Sequence, residues 1–114
     1  MLEFIKVAKV TDVPPGEVIG VDVGERRIAI CNIEGQLCAI DSLCTHMGGP
    51  LDEGFMEGKL LQCPWHAGTF DPATGEAVDP PASGKVDTFA VRISGDDIEI
   101  EKPPDGRQSE IVLP

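Results

Sequence analysis

The residues best suited to chemistry in this sequence fall into two short segments. Both histidines stand within three positions of a cysteine, in Cys44-Thr45-His46 and in Cys63-Pro64-Trp65-His66. The pattern is C-x-H, sixteen intervening residues, and then C-x-x-H. Two thiolates and two imidazoles are a donor set that suits zinc or an iron–sulfur cluster. The sequence therefore predicts a metal centre with four ligands: Cys44, His46, Cys63 and His66.

The order of the ligands favours one of these two metals. Structural zinc sites usually keep like ligands together, as a pair of cysteines followed by a pair of histidines. Here each segment supplies one cysteine and one histidine. This mixing favours a two-iron cluster in which each segment gives one ligand to each iron. A β module stabilised by zinc, with only a binding role, remains an alternative.

The two segments and their flanks resemble the cluster loops of the Rieske family. The resemblance rests on Cys44-Thr45-His46-Met47-Gly48 and Cys63-Pro64-Trp65-His66-Ala67-Gly68, and it extends over most of the chain. It implies a [2Fe–2S] cluster in which Cys44 and Cys63 bind the inner iron. The two histidines, His46 and His66, would then bind the outer iron near solvent.

Departures from the family pattern indicate which kind of Rieske protein this is. High-potential respiratory members have an extra cysteine in each loop, and Ser and Tyr hydroxyls that donate to the cluster. The matching positions here are Gly49, Trp65, Gly68 and Phe70. Because lost donors destabilise the reduced cluster, we expect a potential near the low end of the family's range, roughly −150 mV.

The resemblance then implies a Rieske-type ferredoxin of a bacterial aromatic-ring dioxygenase system, which is an electron carrier and not an enzyme. Such a protein takes one electron from a flavoprotein NAD(P)H reductase and passes it to the Rieske centre of the terminal oxygenase. The small Rieske-like subunit of an assimilatory nitrite reductase is the alternative, since it shares the fold. Many such subunits lack the ligands, so the presence of all four favours the carrier.

Composition and charge exclude several classes of partner. A chain of 114 residues is enough for one domain. Asp and Glu number 20 against 9 Lys and Arg, for a formal net charge of −11. Such a chain lacks the clustered cations that bind nucleic acids or anionic membranes. No apolar run approaches the roughly 20 residues of a spanning helix, and no signal peptide is recognisable. We therefore expect a cytoplasmic monomer.

The elements that must position the two segments are predicted to be β-strands. Short runs rich in Val and Ile alternate with Gly and Pro, and no window has helical periodicity. The predicted strands are Phe4–Lys9, Glu17–Val23, Arg26–Ile33, Leu37–Asp41, Val86–Ile93 and Ile98–Glu101. Leu43–Leu51 and Pro64–Gly75 are predicted not to be strands. The fold class is all-β with antiparallel strands.

The resemblance refines this to the Rieske iron–sulfur fold, a sandwich or barrel-like base with a small two-loop cluster-binding subdomain. We expect a single domain over residues 1–102, with the subdomain at about 43–75 and a loose tail over 103–114.

Two further cysteines have no predicted ligand role. If Glu34-Gly35 is a two-residue hairpin turn, Cys31 faces Cys38 across the two strands. A reducing cytosol favours two buried free thiols over a cross-strand disulfide. Arg26-Arg27 is the only adjacent pair of basic residues, and we assign it no function.

Overall fold

The computed structural model of the chain describes residues 3–23, 26–42, 50–64, 68–79 and 85–102. Its regular structure within these ranges is eleven β-strands and two single 3₁₀ turns, at Val10–Asp12 and Leu51–Glu53. The strands are β1 Phe4–Lys9, β2 Val18–Val23, β3 Arg26–Ile33, β4 Gln36–Asp41, β5 Phe55–Glu57, β6 Leu60–Gln62, β7 Thr69–Phe70, β8 Ala77–Asp79, β9 Thr88–Phe89, β10 Val91–Ser94 and β11 Asp97–Glu101.

The strands form three antiparallel sheets, in the orders β1-β11-β10, β2-β3-β4-β9 and β5-β6-β7-β8. The predicted all-β class is confirmed. In the part of the chain that the structure describes, no helix is long and apolar enough to cross a membrane.

Both faces of strand β3 are buried, which places this strand at the centre of the fold. Successive side chains of a strand point to opposite faces of the sheet. One face packs in an apolar cluster with the β1-β11-β10 sheet: Val13, Ile28, Ile30, Ala39, Phe89, Ile98 and Ile100. The other face packs in a second cluster with the small β5–β8 sheet: Ala29, Cys31, Ile40, Leu51, Leu61, Cys63, Phe70 and Val86. The sheet containing β3 therefore lies between the other two.

The predicted single strand Val86–Ile93 is two strands that belong to different sheets. Ala90 separates them: β9 pairs with β4, whereas β10 pairs with β11. The Ala90 carbonyl accepts a hydrogen bond from the Glu101 N–H at 2.9 Å, and the Ala90 N–H donates to the Glu101 carboxylate at 2.8 Å. Ile93 lies on the edge strand β10 and is 53% exposed, whereas Phe89 of β9 is buried.

The small β5–β8 sheet is the main element that sequence periodicity missed. Its strand β7 lies inside Pro64–Gly75, which was predicted not to form a strand, so that prediction is wrong for Thr69 and Phe70. Strands of two or three residues are too short to show alternation. They form here because the sheet buries Leu61 and Phe70 against the face of β3.

The hairpin between β3 and β4 has the predicted turn. Glu34 and Gly35 have φ of 53° and 96°, as a type I′ turn requires. Cys31 lies opposite Cys38 in the register, and neither is in a disulfide bond. Burial raises the pKa of the Cys31 thiol to about 12, so the group stays neutral. The domain boundary at residue 102 stays a prediction, and the predicted tail lies outside the described residues.

Candidate metal centre

Of the four predicted ligands, Cys63 lies in the described part of the chain, whereas Cys44, His46 and His66 lie outside it. Cys63 directly follows β6, and only 1% of its surface is exposed. It packs in the apolar cluster that also contains Leu61. Within the described ranges no group of three or more metal-ligating side chains forms. A complete site must therefore draw on residues outside those ranges.

The segment that carries His66 begins and ends at one hydrogen bond. The Cys63 N–H donates to the Gly68 carbonyl oxygen at 2.8 Å. The flanking strands continue this ladder, with Gln62 opposite Thr69. The described residues on either side of 64–67 are therefore held together by the pairing of β6 with β7.

The segment that carries Cys44 and His46 is closed at its base in a similar way. The Leu51 N–H donates to the Ser42 carbonyl oxygen at 2.6 Å. The Asp52 N–H donates to the Ser42 hydroxyl oxygen at 2.9 Å, and that hydroxyl donates to a carboxylate oxygen of Asp52. Ser42 and Asp52 thus bring together the described residues that flank 43–49.

The bases of the two segments lie side by side. A Cβ added to Gly54, which follows the turn Leu51–Glu53, would stand 2.0 Å from the carbonyl oxygen of Gln62, which precedes Cys63. Leu51 and Cys63 also belong to the same buried cluster. Two closed segments that start next to each other and each carry one Cys and one His fit a [2Fe–2S] cluster, because that donor set divides evenly between two irons.

Two consecutive arginines of β3 bind carboxylates on either side of the first segment. Arg26 is buried, and its Nη1 lies 3.8 Å from Oδ2 of Asp41, which stands just before the segment. The Arg26 guanidinium also lies over the Phe89 ring, 5.4 Å from the centroid. Arg27 pairs with Asp52, which stands just after the segment, with 3.1 Å between Nη2 and Oδ2. Adjacent residues of a strand point to opposite faces, so each arginine reaches a different end of the segment.

The Arg27–Asp52 pair is partly buried. The Asp52 side chain is 5% exposed and that of Arg27 is 43% exposed. Arg27 also binds Asp22, with 3.0 Å between Nη1 and Oδ1. The hydrogen bond to Asp22 and the charge of Asp52 raise the pKa of Arg27 against the opposing effect of burial, so the guanidinium stays charged.

Sequence reasoning missed these residues. Arg26-Arg27 was assigned no function, and neither Ser42 nor Asp52 was singled out. Arg27 and Asp52 are 25 positions apart, and no periodicity or motif connects positions at that distance. The one signal in the sequence is the pair of adjacent arginines, which by itself predicts nothing about their partners.

The chain is similar to known proteins along most of its length. Residues 3–90 match the Rieske [2Fe–2S] domain family. The chain is 40% identical to the ferredoxin component of the naphthalene 1,2-dioxygenase/salicylate 5-hydroxylase systems of a Ralstonia species, over 79% of this chain and 86% of that protein. It superimposes on the ferredoxin of Sphingomonas yanoikuyae B1 with a TM-score of 0.83, 31% identity and coverage of 89% of this chain and 100% of that one.

A second solved structure is a complex. The chain superimposes on the structure described as the complex of reduced oxygenase and oxidized ferredoxin in carbazole 1,9a-dioxygenase. The TM-score is 0.81 and the identity 27%, with 93% of this chain and 95% of the matched chain covered. The matched chain is thus similar in length and fold to this one.

Proposed function

This chain belongs to the Rieske [2Fe–2S] domain family, and from that premise we propose that it carries single electrons to the terminal oxygenase of an aromatic-ring dioxygenase system. It is an electron-transfer ferredoxin and not itself a catalyst. A bound Rieske [2Fe–2S] cluster supplies one-electron redox chemistry. The observation that carries the proposal is that the described residues flanking the two ligand-bearing segments lie side by side.

The proposed ligand set is Cys44 and Cys63 on one iron, and His46 and His66 on the other. The burial of Cys63 fits it, since cysteine binds metal as a thiolate and the bound metal neutralises the charge that burial would otherwise penalise. The hydrogen bonds Leu51 N–H to Ser42 and Cys63 N–H to Gly68 support it as well, because each closes a ligand-bearing segment at its base.

The proposed electron donor is a flavoprotein NAD(P)H reductase, and the acceptor is the Rieske centre of the oxygenase. The oxygenase partner is supported by the fold match to the carbazole 1,9a-dioxygenase complex. A formal net charge of −11 favours partners with a basic docking face and rapid, transient encounters. We propose a cytoplasmic monomer.

Reconstitution tests the proposal. The purified protein is expected to be red-brown, to contain equal amounts of iron and acid-labile sulfide, and to give a rhombic electron paramagnetic resonance signal after reduction. Added to a dioxygenase reductase, its terminal oxygenase, NADH and naphthalene, it is expected to be required for formation of the dihydrodiol. The matched control is Cys63→Ser, which removes one proposed ligand. A colourless protein with zinc and no sulfide would refute the proposal and favour the zinc alternative.

A further inference from the structure

We propose that Asp52 is a positioning residue for the cluster, which ties the two ends of residues 43–49 together through Ser42 and fixes them to strand β3 through Arg27. The inference rests on the proposed function, because it takes Cys44 and His46 as ligands. The positioning residues themselves lie in the described part of the chain, and none of them is a proposed ligand.

The two carboxylate oxygens of Asp52 have different partners. Oδ1 accepts from the Ser42 hydroxyl. Oδ2 accepts from Nη2 and Nε of Arg27, at 3.1 and 3.3 Å. The Ser42 N–H in turn donates to the Arg27 carbonyl oxygen at 3.0 Å. Arg27, Ser42 and Asp52 therefore form a closed ring of contacts, in which each residue touches the other two.

Two members of this ring are buried, which makes its contacts costly to break. Ser42 is 1% exposed and the Asp52 side chain 5% exposed. A buried carboxylate that loses its cationic partner is left with an unpaired charge, which is strongly unfavourable. Separating Asp52 from Arg27 is therefore unfavourable, and this keeps Asp52 in contact with Ser42.

Gly20 on the neighbouring strand β2 leaves space for the contacts between Asp52 and Arg27. A Cβ added to Gly20 of β2 would stand 2.2 Å from Oδ2 of Asp52 and 2.6 Å from Nη2 of Arg27. Both contacts fall on the atoms that form the ion pair. Gly20→Ala is therefore a way to separate the pair without removing either charge.

The positioning role differs from a general contribution to stability in what it controls. Partners outside the ligand sphere orient the ligands, and their loss typically lowers metal affinity tenfold or more. Asp52 is expected to slow release of the cluster from the folded protein. A merely structural ion pair would change cluster release only as far as it changes the melting temperature.

The test compares variants of the holoprotein in two measurements. The first is the rate at which visible absorbance is lost to an iron chelator under native conditions, and the second is the melting temperature. Asp52→Ala, which breaks both contacts, is expected to release the cluster at least about tenfold faster. Asp52→Asn, which keeps one acceptor for Ser42, and Ser42→Ala, which keeps the ion pair, are expected to have intermediate rates. Gly20→Ala is expected to behave like the intermediate variants.

Two controls separate positioning from stability. The Asp22 side chain is 72% exposed and is the other carboxylate that contacts Arg27. Asp22→Ala removes it and leaves Asp52 in place. It is expected to release the cluster within twofold of the wild-type rate. Ile98→Val lowers stability from the opposite side of the central sheet, where Ile98 is fully buried. It is expected to melt lower without a matching rise in cluster release.

The outcomes distinguish failure of the positioning role from failure of the proposed function. Release rates that follow melting temperature across all variants, Ile98→Val included, overturn the positioning role. If the wild type holds a cluster that Cys44→Ser abolishes, and Asp52→Ala releases it at the wild-type rate, the positioning inference fails while the proposed function stands. If the wild type holds no iron or sulfide, the proposed function fails first.

Discussion

Gly54 packs against the backbone of Gln62 so closely that a Cβ at Gly54 would stand 2.0 Å from the Gln62 carbonyl oxygen. Gly54 lies between the turn Leu51–Glu53 and β5, and because Phe55 pairs with Gln62 the contact is at the open end of the β5–β6 hairpin, directly before Cys63. The backbone at Gly54 has φ of −80°, which any residue can adopt, so the glycine is required for space and not for its conformational freedom.

Gly54→Ala is expected to separate the two segments. The carbonyl that would clash belongs to the backbone of β6 and cannot rotate away, so the strand must shift, at a cost of about 1–3 kcal/mol. We expect less iron and sulfide per chain in the purified variant. The matched control is Gly58→Ala, where φ is 63° and a Cβ meets nothing within 4 Å. It costs about 1–2 kcal/mol of backbone strain and is expected to keep its cluster. Equal cluster loss in both variants would contradict this account.

His66→Cys is expected to lower the reduction potential. A thiolate in place of a neutral imidazole adds a negative charge to the cluster and disfavours its reduction, by on the order of 100 mV. Redox titration followed by visible absorbance measures the shift. Cys38→Ser, which changes a thiol with no proposed ligand role, serves as the control and should leave the potential unchanged. An unaltered absorption spectrum in His66→Cys would argue against His66 as a ligand.

The wild-type potential is expected to lie near the low end of the Rieske range, roughly −150 mV. Phe70 is fully buried and has no hydroxyl, and Gly68 uses its carbonyl oxygen to accept the Cys63 N–H. Gly68 has no side chain and the Phe70 ring has no hydroxyl, so neither residue offers a side-chain hydroxyl to a cluster sulfur. Titration against redox dyes checks this expectation, and a clearly positive value would show that other donors compensate.

The thiols of Cys31 and Cys38 are expected to resist alkylation at neutral pH. Burial is the largest cause that raises both pKa values, and in Cys38 the charge of Asp71 adds to it. A raised pKa means less thiolate at a given pH, so reaction with iodoacetamide should begin at a more alkaline pH than for a free thiol. Mass spectrometry of the alkylated holoprotein over a pH series measures this. Labelling of Cys38 at about pH 7 as fast as that of glutathione would contradict it.

Electron transfer to the oxygenase is expected to slow as salt is added. With a formal net charge of −11, encounter with a basic face is steered electrostatically, and salt screens that attraction. We expect the second-order rate constant to fall about tenfold between about 0.05 M and about 0.5 M salt, measured by stopped-flow reoxidation. A rate constant independent of ionic strength would exclude charge steering.

Much of the base of the fold could be predicted from local pattern. The β1 and β3 boundaries agree with the prediction residue for residue, and the Glu34-Gly35 turn correctly set Cys31 opposite Cys38. These features depend on neighbours in the sequence: alternation within a strand and the backbone angles of a two-residue turn. The small sheet could not be predicted in this way, because strands such as Thr69–Phe70 exist only through pairing with distant partners.

The sequence by itself determined which residues are proposed as ligands, since Cys44, His46, Cys63 and His66 stand out by type and spacing alone. Only the tertiary structure decided how the described residues that flank the two ligand-bearing segments are held in place. The contacts of Asp52 with Ser42 and Arg27 span 10 and 25 positions. They arise because the turn Leu51–Glu53 packs against β2 and β3, and such packing between distant parts of a chain is not encoded in residue spacing.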